Sequence, residues 1–199
     1  FVNDFVAFGN ISTNLGNITA DINMKLPANR GASYSGNISS GGFQLGQFLN
    51  NSKLGNIALE GKISGGGFNL KTLNANFDGK IHQFQFSGYN YRNITIKGNF
   101  EKKLFKGHFD IDDPNLKIES LDGTISLAAD STQYKFDAIL QYANLNQLKL
   151  TTGDIALTGH FNIDFTGNNI DIFRGPDWVY AAYPRQVSTK ISFSSLTFT

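Results

Sequence analysis

Three histidines, His82, His108 and His160, carry the chain's imidazoles, and they are the first residues to weigh as acids, bases or ligands. They lie far apart in sequence. The last two sit among Lys and Asp at alternating positions, which reads as the solvated face of strands. Asp110, Asp112 and Asp113 offer carboxylates at the alternate spacing that calcium takes, because a hard cation needs several oxygen ligands. The run continues as Pro114-Asn115, without the glycine and distal glutamate of a calcium loop, so it reads as a turn. Gly65-Gly66-Gly67 exposes backbone N–H groups, but neither a Lys-Ser/Thr pair nor a helix start follows, so a phosphate cradle is not indicated. It reads as an interruption in a sheet. No nucleophile elbow and no zinc-type His-Glu spacing occurs. With 0 cysteines, disulfides and thiolate metal sites are excluded. Asn10, Asn17, Asn37 and Asn93 each begin a formal glycosylation triplet, a side effect of Asn-rich strands if the source is bacterial. The expectation is a protein with no catalytic residue, no metal and no cofactor.

The chain's order lies elsewhere. Ile94, Ile96, Gly98 and Phe100 alternate with Thr95, Lys97, Asn99 and Glu101. Phe105, Gly107, Phe109 and Ile111 alternate with Lys106, His108, Asp110 and Asp112. Asp113-Pro114-Asn115 breaks the ladder, since proline has no N–H to give it. Leu116 and Ile118 resume the pattern, and Leu121, Gly123, Ile125 and Leu127 carry it past a second break at Ser120–Asp122. A period of two with one wet and one dry face specifies antiparallel sheet with a single apolar side.

The same pattern fills the rest of the chain. Ile18, Ala20, Ile22, Met24 and Leu26 form a strand ended by Pro27, and 33–39 reads as a shorter one. Leu45, Phe48 and Leu49 have helical spacing, enough for one or two turns. Ile57, Leu59 and Ile63 restart the sheet, and Phe84 and Phe86 lead towards Gly88. Tyr134, Phe136, Ala138, Leu140 and Tyr142 alternate, followed by a corner over 145–150. Ile155, Leu157, Gly159, Phe161, Ile163 and Phe165 make the longest regular alternation. The opening stretch 1–9 is too uniformly apolar to assign a face. A glycine, a polar residue and then Ile or Phe recurs from Gly16 to Gly159, often at hairpin-length steps, as a repeating β meander would give.

Composition agrees. Of 199 residues 40% are apolar, 18 are Phe and 21 are Gly, with only 4 Pro. Net charge is +1, from 17 basic and 16 acidic residues spread evenly, so the clustered basic stripe of a nucleic-acid binder is missing. No apolar run approaches the roughly 20 residues of a membrane-spanning helix. The start inside a strand-like pattern suggests a piece of a longer protein.

Several segments carry a resemblance. FQLGQFLNNSKLG, GKISGGGFNLKTLNANFDGKI, FSGYNYRNITIKGNF, FKGHFDIDDPNLKIESLDGTISL and YANLNQLKL, in that order, resemble the TamB family, the translocation and assembly module of the bacterial envelope. The likeness covers about 33–175, and Tyr89, Tyr91, Asn93 and Ile94 with the turn Asp113 to Leu116 are its most specific parts. The family belongs to the AsmA-like bridge proteins. The resemblance implies an all-β fold, a long antiparallel-rich curved sheet rolled into an open trough (a β-taco) with an apolar inner face. It implies one continuous trough segment over 1–173, with 174–199 starting a further strand unit. It also implies a periplasmic location, in a parent anchored in the inner membrane. The implied task is conducting phospholipids towards the outer membrane, or supporting outer-membrane protein assembly with an Omp85-class partner.

The groove lining expected on this reading is Ile57, Leu59, Ile63, Phe84, Phe86, Ile94, Ile96, Phe100, Phe105, Phe109, Ile111, Ile118, Ile125, Leu127, Phe136, Leu140, Ile155, Leu157, Phe161 and Ile163. The expected partners are phospholipid acyl chains, with no nucleic acid. The alternative is a closed β-sandwich or secreted adhesion module in which the same side chains make a packed core. Alternation by itself does not separate a floor from a core. An outer-membrane barrel fits less well, because the Phe residues lie mid-strand and no Tyr/Trp girdles mark strand ends.

Overall fold

A computed structural model describes residues 4–27, 31–48, 50–67, 72–126, 133–166 and 189–198. The chain forms two compact units, Phe1–Lys103 and Leu104–Thr199. The first holds β1 (Asp4–Thr13), β2 (Gly16–Lys25), β3 (Ser33–Gln44), α1 (Leu45–Phe48), β4 (Leu54–Gly66), β5 (Asn74–Phe86) and β6 (Tyr89–Glu101). The second holds β7 (Leu104–Asp113), β8 (Leu116–Ser126), β9 (Gln133–Asn144), β10 (Ala156–Thr166) and β11 (Thr189–Phe198). Within each unit every strand pairs antiparallel with the next in sequence, giving two meanders. The fold is therefore all-β and antiparallel, as the alternation requires. Among the described residues α1 is the one helix, and it is a single turn.

Local chemistry explains the turns. Ser87 and Gly88, between β5 and β6, take φ of 47° and 83°, the doubly left-handed pair of a type I′ hairpin. At the β7–β8 corner the Asn115 N–H donates to the Asp113 carboxylate at 2.8 Å, closing an Asx turn around Pro114. The corner after β9 is closed by backbone hydrogen bonds instead: Leu148 N–H donates to the Asn144 carbonyl at 3.0 Å and Leu150 N–H to that of Leu145 at 2.9 Å.

Register places most described apolar residues of the paired inner strands of each unit on one face. In the first, Ile57 lies opposite Phe43 and Phe84, Ile63 opposite Gly36 and Phe77, Ile94 opposite Ile81, and Phe100 opposite Ala75. In the second, Phe105 faces Ile125, Phe109 faces Leu121, Ile118 faces Ile111 and Leu140, and Phe136 faces Gly123 and Ile163. Polar alternates occupy the other face and pair across strands, as Lys97 does with Asp78 at 3.9 Å and Lys135 with Asp164 at 3.2 Å. Both ends of these pairs are solvated, so each adds at most about 1 kcal/mol.

The phase of the alternation changes within several strands, and bulges absorb each change. The register shifts between Ser40 and Phe43, between Ala58 and Leu59, between Phe109 and Ile111, and between Ile118 and Ser120. The break expected at Ser120–Asp122 is thus a bulge inside an unbroken β8. The extra residue keeps Ile118 and Leu121 on one side although their numbers differ by an odd count. A bulge in β9 has the opposite effect on Tyr142. It lies opposite Lys117, on the polar face, and Ala143 takes the apolar place opposite Leu116 and Leu157. Two further expectations are corrected. The strand expected over 33–39 runs on to Gln44 through Gly41 and Gly42, and β4 continues to Gly66 before the glycine run ends it.

Glycines on the apolar face make room for rings. A Cβ added at Gly61 or Gly79, which face each other, would come within 2.7–2.8 Å of the Phe77 ring, and one at Gly123 would collide with Phe136. Overpacking such a contact costs about 1–3 kcal/mol. Gly61→Val, where the Phe77 ring is the nearest obstacle, should therefore lower the melting temperature by several degrees. Gly9→Ala, where a Cβ meets nothing within 4 Å, should leave it unchanged. Equal effects in a thermal scan would contradict the ring-over-glycine packing.

Neither unit shows a second layer among its described residues. Among the described residues, strands of a unit pack substantially only against their sequence neighbours, and α1 against β4. Few apolar side chains of the described residues are buried: Ile57 and Ile94 in the first unit, and Ala138, Leu140, Ala143, Leu148 and Leu157 in the second.

Candidate functional site

The arrangement with the most to offer chemically is the apolar face itself. Rings run along it in contact: Phe84 with Phe86 (6.2 Å between centroids) and Tyr91 (6.5 Å), Tyr89 with Tyr91 (4.8 Å), Phe105 with Phe109 (5.6 Å), and Tyr134 with Phe136 (6.4 Å). Most of these side chains are half-buried, shielded sideways by neighbours on the same face.

The first unit brings together Ile57, Leu59, Ile63, Phe84, Phe86, Ile94, Ile96 and Phe100 on its apolar side. The second does the same for Phe105, Phe109, Ile111, Ile118, Ile125, Phe136, Leu140, Leu157, Phe161 and Ile163. Ile155 is outside the strand, just before β10, where its carbonyl accepts the Leu145 N–H at 2.9 Å. Leu127 lies outside the described residues, as does most of 174–199.

Residues the expected lining omitted share the face: Ala75, Phe77 and Ile81 on β5, and Leu121 and Ala138 in the second unit. Ala75, Phe77, Gly79 and Ile81 do alternate. The signal was hidden because His82 begins a phase change before Phe84 and Phe86.

Among the described residues, register places no Lys, Arg or Glu on either apolar face. Asp113 stands at the end of the second, wholly enclosed and hydrogen-bonded to the turn it closes. Leu148, in the corner over 145–150, is 2% exposed and is the most enclosed large apolar side chain of the second unit.

The histidines lie on polar faces, His82 in the first unit and His108 and His160 in the second. His82 approaches Glu60 at 3.4 Å with both side chains largely exposed. His108 places Nδ1 3.0 Å from Asp122 and Nε2 3.2 Å from Asp110, while Ser120 donates to the other Asp122 oxygen at 3.2 Å. His160 Nε2 is 2.8 Å from Asp137, which also accepts from Asn162 at 3.4 Å. Among the described residues no cluster of His, Asp and Glu has the geometry to hold a metal ion. A shallow depression of about 500 Å³ on the polar face of the first unit is lined by Asp21, Asn37, Glu60, Lys62, Asp78 and Lys80 among others. Its charges alternate in sign, and the hydroxyls of Thr19 and Ser39 have no imidazole in the lining to activate them, so it reads as a solvated side-chain lattice.

These contacts set a pH dependence. The hydrogen bond to Asp122, and then the charges of Asp110 and Asp122, hold the His108 pKa above its ordinary value despite some desolvation. A group raised on folding contributes its stability in full below the unfolded value of about 6.5 and loses it as pH rises through the folded value. The wild type should exceed His108→Gln in urea midpoint at pH 5.5, and the gap should close by pH 8.5. A gap that is independent of pH would contradict the assignment. Asp137 behaves inversely: hydrogen bonds from His160 and Asn162 lower its pKa, so its contribution is lost only as pH falls through that lowered value.

No family model, no curated protein and no solved structure matches the chain.

Proposed function

We propose that the protein is a segment of a lipid-conducting surface of the periplasm, on which phospholipid acyl chains move along the apolar face while headgroups remain in water. The observation that supports this reading is that register sets the described Phe, Ile and Leu alternates of each meander on one side, with no Lys, Arg or Glu among them and no second layer among the described residues of the unit. Moving a phospholipid through water exposes its chains at roughly 0.8 kcal/mol per methylene. A floor of Phe, Ile and Leu at even spacing removes that penalty at every step, with little change from one position to the next. The polar alternates keep the outer side hydrated. The TamB-like segments point the same way, towards a longer envelope protein anchored in the inner membrane and serving the outer membrane, with an Omp85-class protein as the partner to seek. No catalytic residue is assigned.

The second reading, a closed sandwich, uses the same residues as a core. A sandwich needs two sheets face to face about 10 Å apart, and each unit by itself supplies one. The two readings separate in a lipid-withdrawal assay. Vesicles carrying a self-quenching fluorescent phospholipid should brighten on addition of the protein, and Phe109→Asp should reduce the rate at least tenfold. Vesicles that stay quenched with the wild type would contradict the proposal.

A further inference from the structure

The second unit repeats four strands of the first. Thr13 pairs with Gly16 beside the first turn as Asp113 does with Leu116, and Ile57 pairs with Phe43 beside the corner as Leu157 does with Ala143. The corner is tied back alike: Gln44 N–H donates to the Leu15 carbonyl at 2.7 Å, and Asn144 N–H to that of Asn115 at 2.9 Å. β1–β4 thus correspond to β7–β10, and the differences can be read place by place. His108 stands where the first unit has Phe8, Asp110 where it has Asn10, and Asp137 where it has Asn37, while Asp21 and Asp122 are alike. The backbone differs at the same spot. The β1–β2 ladder runs from Asp4 to Thr13 without a shift. In the second unit Phe109 pairs with Leu121 and Ile111 with Ile118, so Glu119 and Ser120 both oppose Asp110. Such a bulge disrupts the ladder locally.

A side chain spans the disruption. His108 sets Nε2 3.2 Å from Asp110, the bulged place, and Nδ1 3.0 Å from Asp122, its own partner across the ladder. Both contacts are hydrogen bonds only when both ring nitrogens carry protons, that is, in the imidazolium. The neutral ring donates to one carboxylate and turns a lone pair on the other. Losing the proton also removes the cation from a row of carboxylates, since Asp122 lies opposite Asp137 on β9. Like charges directly opposite are destabilising. The surrounding charges do not replace it. Lys106, two residues back on β7, lies opposite Thr124. Lys117 is held by Asp112 at 3.4 Å, Lys135 by Asp164 at 3.2 Å, and His160 lies 2.8 Å from Asp137. Glu119, in the bulge, is a further acid. The His108, Asp110 and Asp122 side chains are 41%, 45% and 67% exposed, so the proton exchanges with solvent without an opening step.

We infer that His108 is a pH-sensitive latch across the β7–β8 bulge, closed as the imidazolium and open as the neutral ring. Because its carboxylate neighbours raise its folded pKa, the latch is closed at acid pH and opens as pH rises through that value. The latch belongs to the polar side alone and is independent of lipid conduction.

Amide hydrogen exchange tests it, with the β1–β2 hairpin of the same molecule, which contains no histidine, as the control. Rates are corrected for the intrinsic pH dependence of exchange. Protection of 105–112 and 116–124 should fall about fivefold or more from pH 5.5 to pH 8.5, while that of 5–12 and 16–24 should change less than about twofold. In His108→Phe, which installs the residue of the first unit, the fall should vanish. His108→Lys keeps a cation at both pH values and should also abolish the fall. Asp110→Asn removes one arm of the latch and should at least halve it, so misfolding of one variant, checked by circular dichroism, does not remove the test. A parallel loss of protection in both hairpins, a fall that survives His108→Phe, or one abolished by His160→Gln instead would each overturn the proposal.

Discussion

Phe161→Arg is expected to leave the protein folded and to abolish its contact with lipid. Phe161 lies opposite Ala138 in mid-strand, on the apolar side of a unit whose described residues form no second layer, so an arginine there can direct its guanidinium to water. The folding cost should be about 1–3 kcal/mol, from lost apolar contact and incomplete hydration. The effect on conduction should be far larger, because a fixed charge in mid-floor interrupts the apolar path for every chain that passes. Phe109→Asp should behave alike, with loss of the ring contact to Phe105. In a closed core the order would be reversed, since an unpartnered buried charge unfolds the domain before any transport is measured. Thermal stability and lipid withdrawal, read on the same variants, give that order directly.

The largest purely structural effect should come from Leu148→Ala. This side chain is enclosed by the corner that joins β9 to β10, and the backbone there is tied by hydrogen bonds to Leu145, Asn144 and Asn115. A leucine removed from an enclosed site costs about 2–5 kcal/mol, the transfer term plus the cavity left behind. Phe105→Ala or Ile125→Ala, on the half-buried face, should cost less despite the comparable or larger size of the deleted group. Chemical denaturation of the three variants checks this. A floor residue that costs more than Leu148 would mean that the face is packed under another layer.

The all-β class was legible in the alternation alone, because a strand buried on one side can hide its apolar residues only at every second position. Ile94 to Phe100, Phe105 to Ile111 and Leu157 to Ile163 show it without interruption. What the sequence concealed lies at the bulges. A phase change reads on paper as a break, as at Ser120–Asp122, or as a continued alternation, as with Tyr142. The pairing partner decides which residue is extra, and that partner is remote in sequence. Phe77 and Ile81 were missed for this reason, since the phase of Phe84 and Phe86 does not extend back to them. The face assignment of β1 was illegible in another way: uniform apolarity assigns no face, and only its register with β2 shows that Val6 and Phe8 lie among polar neighbours.

The central claim is that lipid occupies the apolar face and not the polar one. Photocrosslinking tests it most directly, with a photoreactive side chain placed in turn at Phe105 and at its neighbour Lys106, which the pleat turns to the opposite face. The protein is incubated with phospholipid vesicles before irradiation. Lipid adducts should form from position 105 and be absent from position 106, and Phe109→Asp in the same chain should suppress them. Equal adducts from both positions, or none from position 105 in a folded protein, would contradict the account.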